Sequence, residues 1–176
     1  MTVVPGVTEE LNMADDREIE KQFWDALEKS PFVMLGLDQA RASAMQPMTA
    51  QFDDQDRERG CIWFFTARDH DLTRSLGQDN RAVVSFAAKG HDLFASLRGS
   101  LYIDNDRATL DRLWNAIAAE WYEGKDDPKM ALLRFEMDDA KIWLSDIGGF
   151  LKPAFNKLFG RKPEAGMKEK VAEVSF

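Results

Sequence analysis

"GCIWFFTARDHDLTRSL", residues 60–76, decides the fold. Large apolar side chains run straight into Thr66, a charged turn follows, and a helix start comes next. Such a run has the length and the aromatic content of a buried strand. Alternation sends Ile62, Phe64 and Thr66 to one face and Trp63 and Phe65 to the other. A strand end beside a helix N-terminus can hold an anion, and equally can be an ordinary connection. Asp69 is the expected N-cap of a short helix over about 70–77.

Outward from that stretch the remaining elements fall into order. A helix is expected from about Asp15 to Lys29, with Ile19, Phe23, Ala26 and Leu27 on one face and Pro31 stopping it. "FVMLGL" (32–37) reads as a buried strand. "SAMQPMTAQF" (43–52) reads as a second strand whose proline marks an edge or bulge. "DDQDRERG" (53–60) reads as a solvated turn without EF-hand spacing. "AVVSFAA" (82–88) and "LFASLRGSLYI" (93–103) are strands, the second with a glycine where a bulge fits. From Asp106 to Trp121 the apolar residues keep a helical period. "MALLRFEM" (130–137) and "AKIWLSD" (140–146) read as two final strands. Strands this close together, on short turns, curl into an antiparallel barrel with helices outside.

Composition narrows the function. The 176 residues suit one domain, and 44% hydrophobic residues can build a core. A net charge of −8 disfavours general nucleic-acid binding. The single cysteine, Cys61, allows no disulfide framework and is expected to pack as a small core residue. No apolar run reaches the ~20 residues of a membrane span. "MTVVPGVTEELNMADD" lacks the plan of a secretory signal, so a cytoplasmic location is expected. Residues 152–170 carry six Lys or Arg against two Glu; with Phe155, Leu158 and Phe159 they suggest a basic amphipathic helix, docked on the domain or against a membrane or acidic partner. The expected layout is a leader (1–14), a barrel domain (15–148) and a C-terminal helix and tail (149–176) packed on it. His70 and His91 sit in different turns, no zinc spacing occurs, and no phosphate loop, GxSxG elbow or HExxH is present.

The order of elements, with "QPMTAQF" (46–52) and "IWFFTARDHDL" (62–72), resembles the pyridoxamine 5′-phosphate oxidase-like family. "LDRLWNAIAAEWYEG" (110–124), "DDPKMALLRFEMDDAKIWLSD" (126–146) and "KEKVAEVSF" (168–176) resemble its bacterial general stress protein branch. The resemblance implies a mainly β (α+β) fold, a six-stranded antiparallel split β-barrel of Greek-key type flanked by helices. It implies a homodimer holding flavin mononucleotide (FMN) at its interface.

It also implies where the flavin would lie. Gln46 takes the place of a phosphate-binding arginine and is followed by Pro47, Met48 and Thr49. Gln51 would reach the isoalloxazine edge, and Phe65 with Thr66 would meet ring and phosphate. His70, Asp71 and Leu72 stand where the family has a hydroxyl residue and a phosphate-binding lysine. Two charged hydrogen bonds of ~1.5–3 kcal/mol each are therefore missing, which weakens phosphate binding by about 10² to 10⁴-fold. Arg41, Arg68, Arg74 or a protonated His70 could compensate, and Leu72→Lys is expected to tighten FMN binding. Trp114 and Trp121 would pack in the core or interface, or one would reach the partner's flavin.

No catalytic side chain stands out, since nothing in the placement of Ser, His and Asp marks a triad; in a flavin enzyme the cofactor carries the redox chemistry, so this does not exclude activity. The expectation is an FMN-binding general stress protein, as a flavin-dependent oxidoreductase on a small molecule. The alternative is a non-enzymatic dimeric binding module that has weakened or lost the flavin; deazaflavin or haem in the same cleft ranks behind both.

Overall fold

The computed structural model describes residues 5–38, 44–77, 80–144 and 170–175. Its elements are α1 (Pro5–Lys29), β1 (Phe32–Leu37), β2 (Gln46–Thr49), α2 (Asp54–Arg59), β3 (Cys61–Ala67), α3 (Asp71–Arg74), β4 (Arg81–Ala87), β5 (Leu93–Ile103), α4 (Arg107–Leu113), α5 (Ala116–Trp121), β6 (Met130–Leu144) and β7 (Lys170–Ser175).

The strands form one antiparallel sheet in the order β2-β1-β4-β5-β6-β3, with β7 also on β6. Beyond β2, Gln51 pairs with Trp63 of β3 and joins the two ends of that order. The sheet is thus a curled, nearly closed barrel, as expected, with seven strands in place of six. The seventh, β7, lies in the segment expected to be a helix and tail.

Inward-facing side chains of β1, β3, β4, β5 and β6 share one core with Ile19, Phe23, Trp24 and Leu27 of α1. Phe23 meets Phe86 edge-on at 5.9 Å. α1 starts ten residues ahead of the expected Asp15, at Pro5. Cys61 is 8% exposed, and burial pushes its thiol pKa up, as suits a packing residue and not a nucleophile.

The two final strands are one. β6 runs unbroken for 15 residues; its first part pairs with β3 and its second with β7, while β5 pairs with it from Leu133 to Leu144. The register shifts between Arg98 and Gly99 of β5, where a bulge was expected, but the extra residue, Asp138, belongs to β6, so the bulge sits on the strand opposite the glycine. A Cβ at Gly99 would lie 2.0 Å from the Glu136 carbonyl oxygen, so only glycine fits the close approach. Asp138, the extra residue, pairs with Arg81.

The "solvated turn" at 53–60 is also corrected. It holds α2, opened by a capping box in which Asp53 accepts from the Asp56 backbone and Asp56 accepts from the Asp53 backbone, both at 3.1 Å. Gly60 closes it at φ 63°, in the left-handed region. Most of the basic 152–170 stretch lies outside the described residues, as does Arg41.

Candidate functional site

The barrel closes through one residue pair. Gln51 and Trp63 exchange two backbone hydrogen bonds of 2.8 Å. Outside this closure lies a second, smaller apolar cluster. Trp63, Leu110, Leu113, Met130 and Leu132 form it, with Phe65, Trp114 and Tyr122 against it. The alternation in β3 is therefore as read: Ile62 and Phe64 fill the barrel, and Trp63 and Phe65 face α4.

A buried carboxylate holds α4 in place. Asp56 is 3% exposed and accepts from Trp63 Nε1 at 2.9 Å and from Arg112 Nη1 at 2.7 Å. Arg112 also pairs with Asp53. Hydrogen bonding to Asp56 raises the guanidinium pKa, so the cation is permanent. Partial burial alone would raise the Asp53 carboxyl; the Asp56 backbone N–H and Arg112 override it and hold Asp53 below the ordinary range. Polar groups buried together in this way are costly to separate.

The expected 106–121 helix breaks above this clamp. α4 ends at Trp114, whose backbone is extended at φ −60°, ψ 126°. Asn115 is extended too and caps α5: its Oδ1 accepts from the Ile117 and Ala118 N–H groups at 3.0 and 3.1 Å. Its Nδ2 donates to Gln51 Oε1 at 2.7 Å. Trp114 meets Phe65 edge-on at 5.9 Å. The break thus gathers Gln51, Phe65, Trp114 and Asn115 at the barrel seam.

The other expected site residues are scattered. Phe65 and Thr66 point to opposite faces, and Thr66 is 6% exposed. Pro47 is exposed and Thr49 half-buried, while Met48 packs against the main core. Gln46 Oε1 and His70 Nδ1 are buried with no hydrogen-bond partner among the described residues. His70, not Asp69, occupies the N-cap position of α3, and its side chain makes no cap bond. Asp71 is exposed. Leu72 is fully buried in the main core, not at the surface where the resemblance places a phosphate contact. Trp121 is 79% exposed, which removes it from the core; Ile117, one turn earlier, is 50% exposed.

Pattern reading missed Asn115, Arg112, Asp56 and Asp53. Two signals were available: an asparagine inside an apparent helix is more often a cap, and Asp53, Asp56 and Gly60 carry cap spacing at both ends of α2.

An antiparallel sheet curled to a single-pair closure, with helices outside the seam, is the architecture of a split-barrel protein. The chain belongs to the family described as pyridoxamine 5′-phosphate oxidase like, whose model matches residues 18–161. A general stress family protein of Xanthomonas campestris pv. campestris is 51% identical, at TM-score 0.68 over 74% of this chain and 89% of that one. A protein of Xanthomonas citri described as general stress FMN/FAD binding is 50% identical, at TM-score 0.67 over 73% of this chain and 89% of that one. General stress protein 26 of Jannaschia sp. CCS1 is 31% identical, at TM-score 0.70 over 91% of this chain and 99% of that one. General stress protein 26 of Bacillus subtilis strain 168 is 29% identical over 51 residues, which span 29% of this chain and 36% of that protein. The chain is thus a member of the general stress branch.

Proposed function

We propose that this protein binds a flavin, FMN by preference of the family, at the seam beside Gln51, as a homodimer. The observation that carries the reading is the grouping of Gln51, Phe65, Trp114 and Asn115 at the barrel closure. It stands in a chain half identical to a protein described as FMN/FAD binding. Two aromatic side chains and an amide suit a planar heterocycle with polar edges. Gln46 Oε1 and His70 Nδ1, buried without a partner among the described residues, are separate polar groups that a bound ligand could satisfy.

The residues present fit the ring better than the phosphate. Gln46 carries no charge and Leu72 lies in the core. A bound flavin supplies two-electron transfer to or from a small molecule. The chain's own part is to orient the ring, exclude water and leave a face open. Ile117 and Trp121, four residues apart on α5, offer an exposed apolar pair to the second copy.

Titration of the purified protein with FMN and with riboflavin, followed by flavin fluorescence, tests this. Saturable micromolar binding of both, with affinities within about tenfold, is the expected result. No saturation by either at millimolar concentration sinks the reading. The uncharged Gln46 and the buried Leu72, where the resemblance places phosphate-binding cations, favour a second reading, a dimeric binding module without flavin or catalysis, and that outcome would select it.

A further inference from the structure

The amide of Gln51 has two ends, and among the described residues only one is engaged. Asn115 decides which. The first backbone N–H groups of α5 need an acceptor. Asn115 meets the Ile117 and Ala118 N–H groups at 3.0 and 3.1 Å, so the atom there is the oxygen, Oδ1. The opposite end of the Asn115 amide is then Nδ2, a donor, which also lies 3.3 Å from the Leu113 carbonyl oxygen. The atom of Gln51 facing Nδ2 at 2.7 Å must accept, and is Oε1. The Gln51 Nε2 amino group is therefore the end turned away from Asn115, and among the described residues it meets no acceptor. Backbone geometry at a helix start thus removes the usual ambiguity of an amide's two ends.

We propose that Asn115 is a positioning residue that locks Gln51 as a hydrogen-bond donor, so the seam selects ligands presenting an acceptor edge. An aromatic carbonyl or imine nitrogen fits; a donor edge at the same place does not. The proposal rests on the flavin reading for its ligand but not for the orientation of Gln51.

Asn115→Asp separates the two. Aspartate caps a helix as well as asparagine, so α5 keeps its cap. The second carboxylate oxygen, however, now demands a donor from Gln51, and the amide turns over to present Oε1 instead. In the ligand-free protein the Gln51 side-chain NH₂ signal, followed by 15N NMR, is expected to be solvent-exchanging in the wild type. In the variant it is expected to shift downfield and exchange more slowly. A wild-type amide that is already protected overturns the orientation, whatever the protein binds.

FMN binding is the second measurement. Asn115→Asp is expected to weaken it about tenfold, the effect of one lost hydrogen bond and an opposed acceptor. The same change in a Gln51→Ala background is expected to do nothing, because Asn115 acts through Gln51. Equal weakening in both backgrounds, or none in the first, overturns the positioning role. Asn115→Ser, which keeps a cap but cannot reach Gln51, is expected to fall between the two and guards against an unfolded aspartate variant. If the NMR result holds and no variant, wild type included, binds FMN, the orientation stands, and the flavin reading fails together with the ligand choice built on it.

Discussion

Leu72 shows how one side chain can look like a ligand position in sequence and be something else in space. It follows two polar residues in a turn, where the family resemblance places a phosphate contact. Yet α3 rotates it into the core at zero exposure, while Asp71 takes the solvent side. Leu72→Lys is accordingly expected to bury an ammonium group without a partner. Its cost should be about 3 kcal/mol or more, read as a lowered urea midpoint. Unchanged stability with tighter FMN binding would return Leu72 to the phosphate site. Thr66 teaches the same lesson: one residue along a strand reverses the face, so Phe65 and Thr66 cannot both address one ring surface from β3.

At the level of elements, the strands were legible wherever period and turn chemistry agreed. β1, β3, β4 and β5 stand within a residue or so of their expected ends, and a glycine inside a strand marked the level of the bulge, though the extra residue is on the facing strand. The helices were harder. The apolar stripe from Leu110 to Trp121 has helical spacing, but Asn115 competes for the backbone and divides it. Periodicity records which residues are apolar and says nothing about a cap in their midst. The acidic 53–60 run looked solvated because no local pattern reveals that Arg112, 56 residues beyond Asp56, will bury its charge.

Caps also set the acid response. Asp106 opens α4 by accepting the Thr109 N–H at 2.8 Å, and this bond lowers its pKa. Asp127 is lowered by the Lys129 and Glu123 backbone N–H groups, and Asp111 by a hydrogen bond from Lys125. Each folded pKa lies below the unfolded one. Their stabilisation is therefore complete above about pH 4 and is lost as pH falls through the folded values. Thermal melts between pH 6 and 3 should show this decline. Asp106→Asn, which keeps an acceptor but cannot titrate, should make it shallower. An identical slope in both proteins would show that the cap carries no linkage.

For the molecule as a whole, the exposed pair on α5 is one feature a lone chain leaves unexplained. Trp121 at 79% exposure and Ile117 at 50% place large apolar surface in water beside the seam. Trp121→Glu is expected to halve the sedimenting mass and to weaken FMN binding together with it. A variant that keeps the wild-type mass would remove α5 from the interface. No helix among the described residues is long and apolar enough to cross a membrane.

The barrel is stitched unevenly. β5 and β6 share eleven paired positions, whereas among the described residues the closing edge is paired only at Gln51 and Trp63. A zip fastened at one tooth breathes there first. Amide protons of Gln51 and Trp63 should trade with deuterium in solvent well before those of Leu101 or Phe135. A guest lodged against Gln51 would slow that trade at the tooth without touching the rest, so occupancy of the seam could be read from two protons.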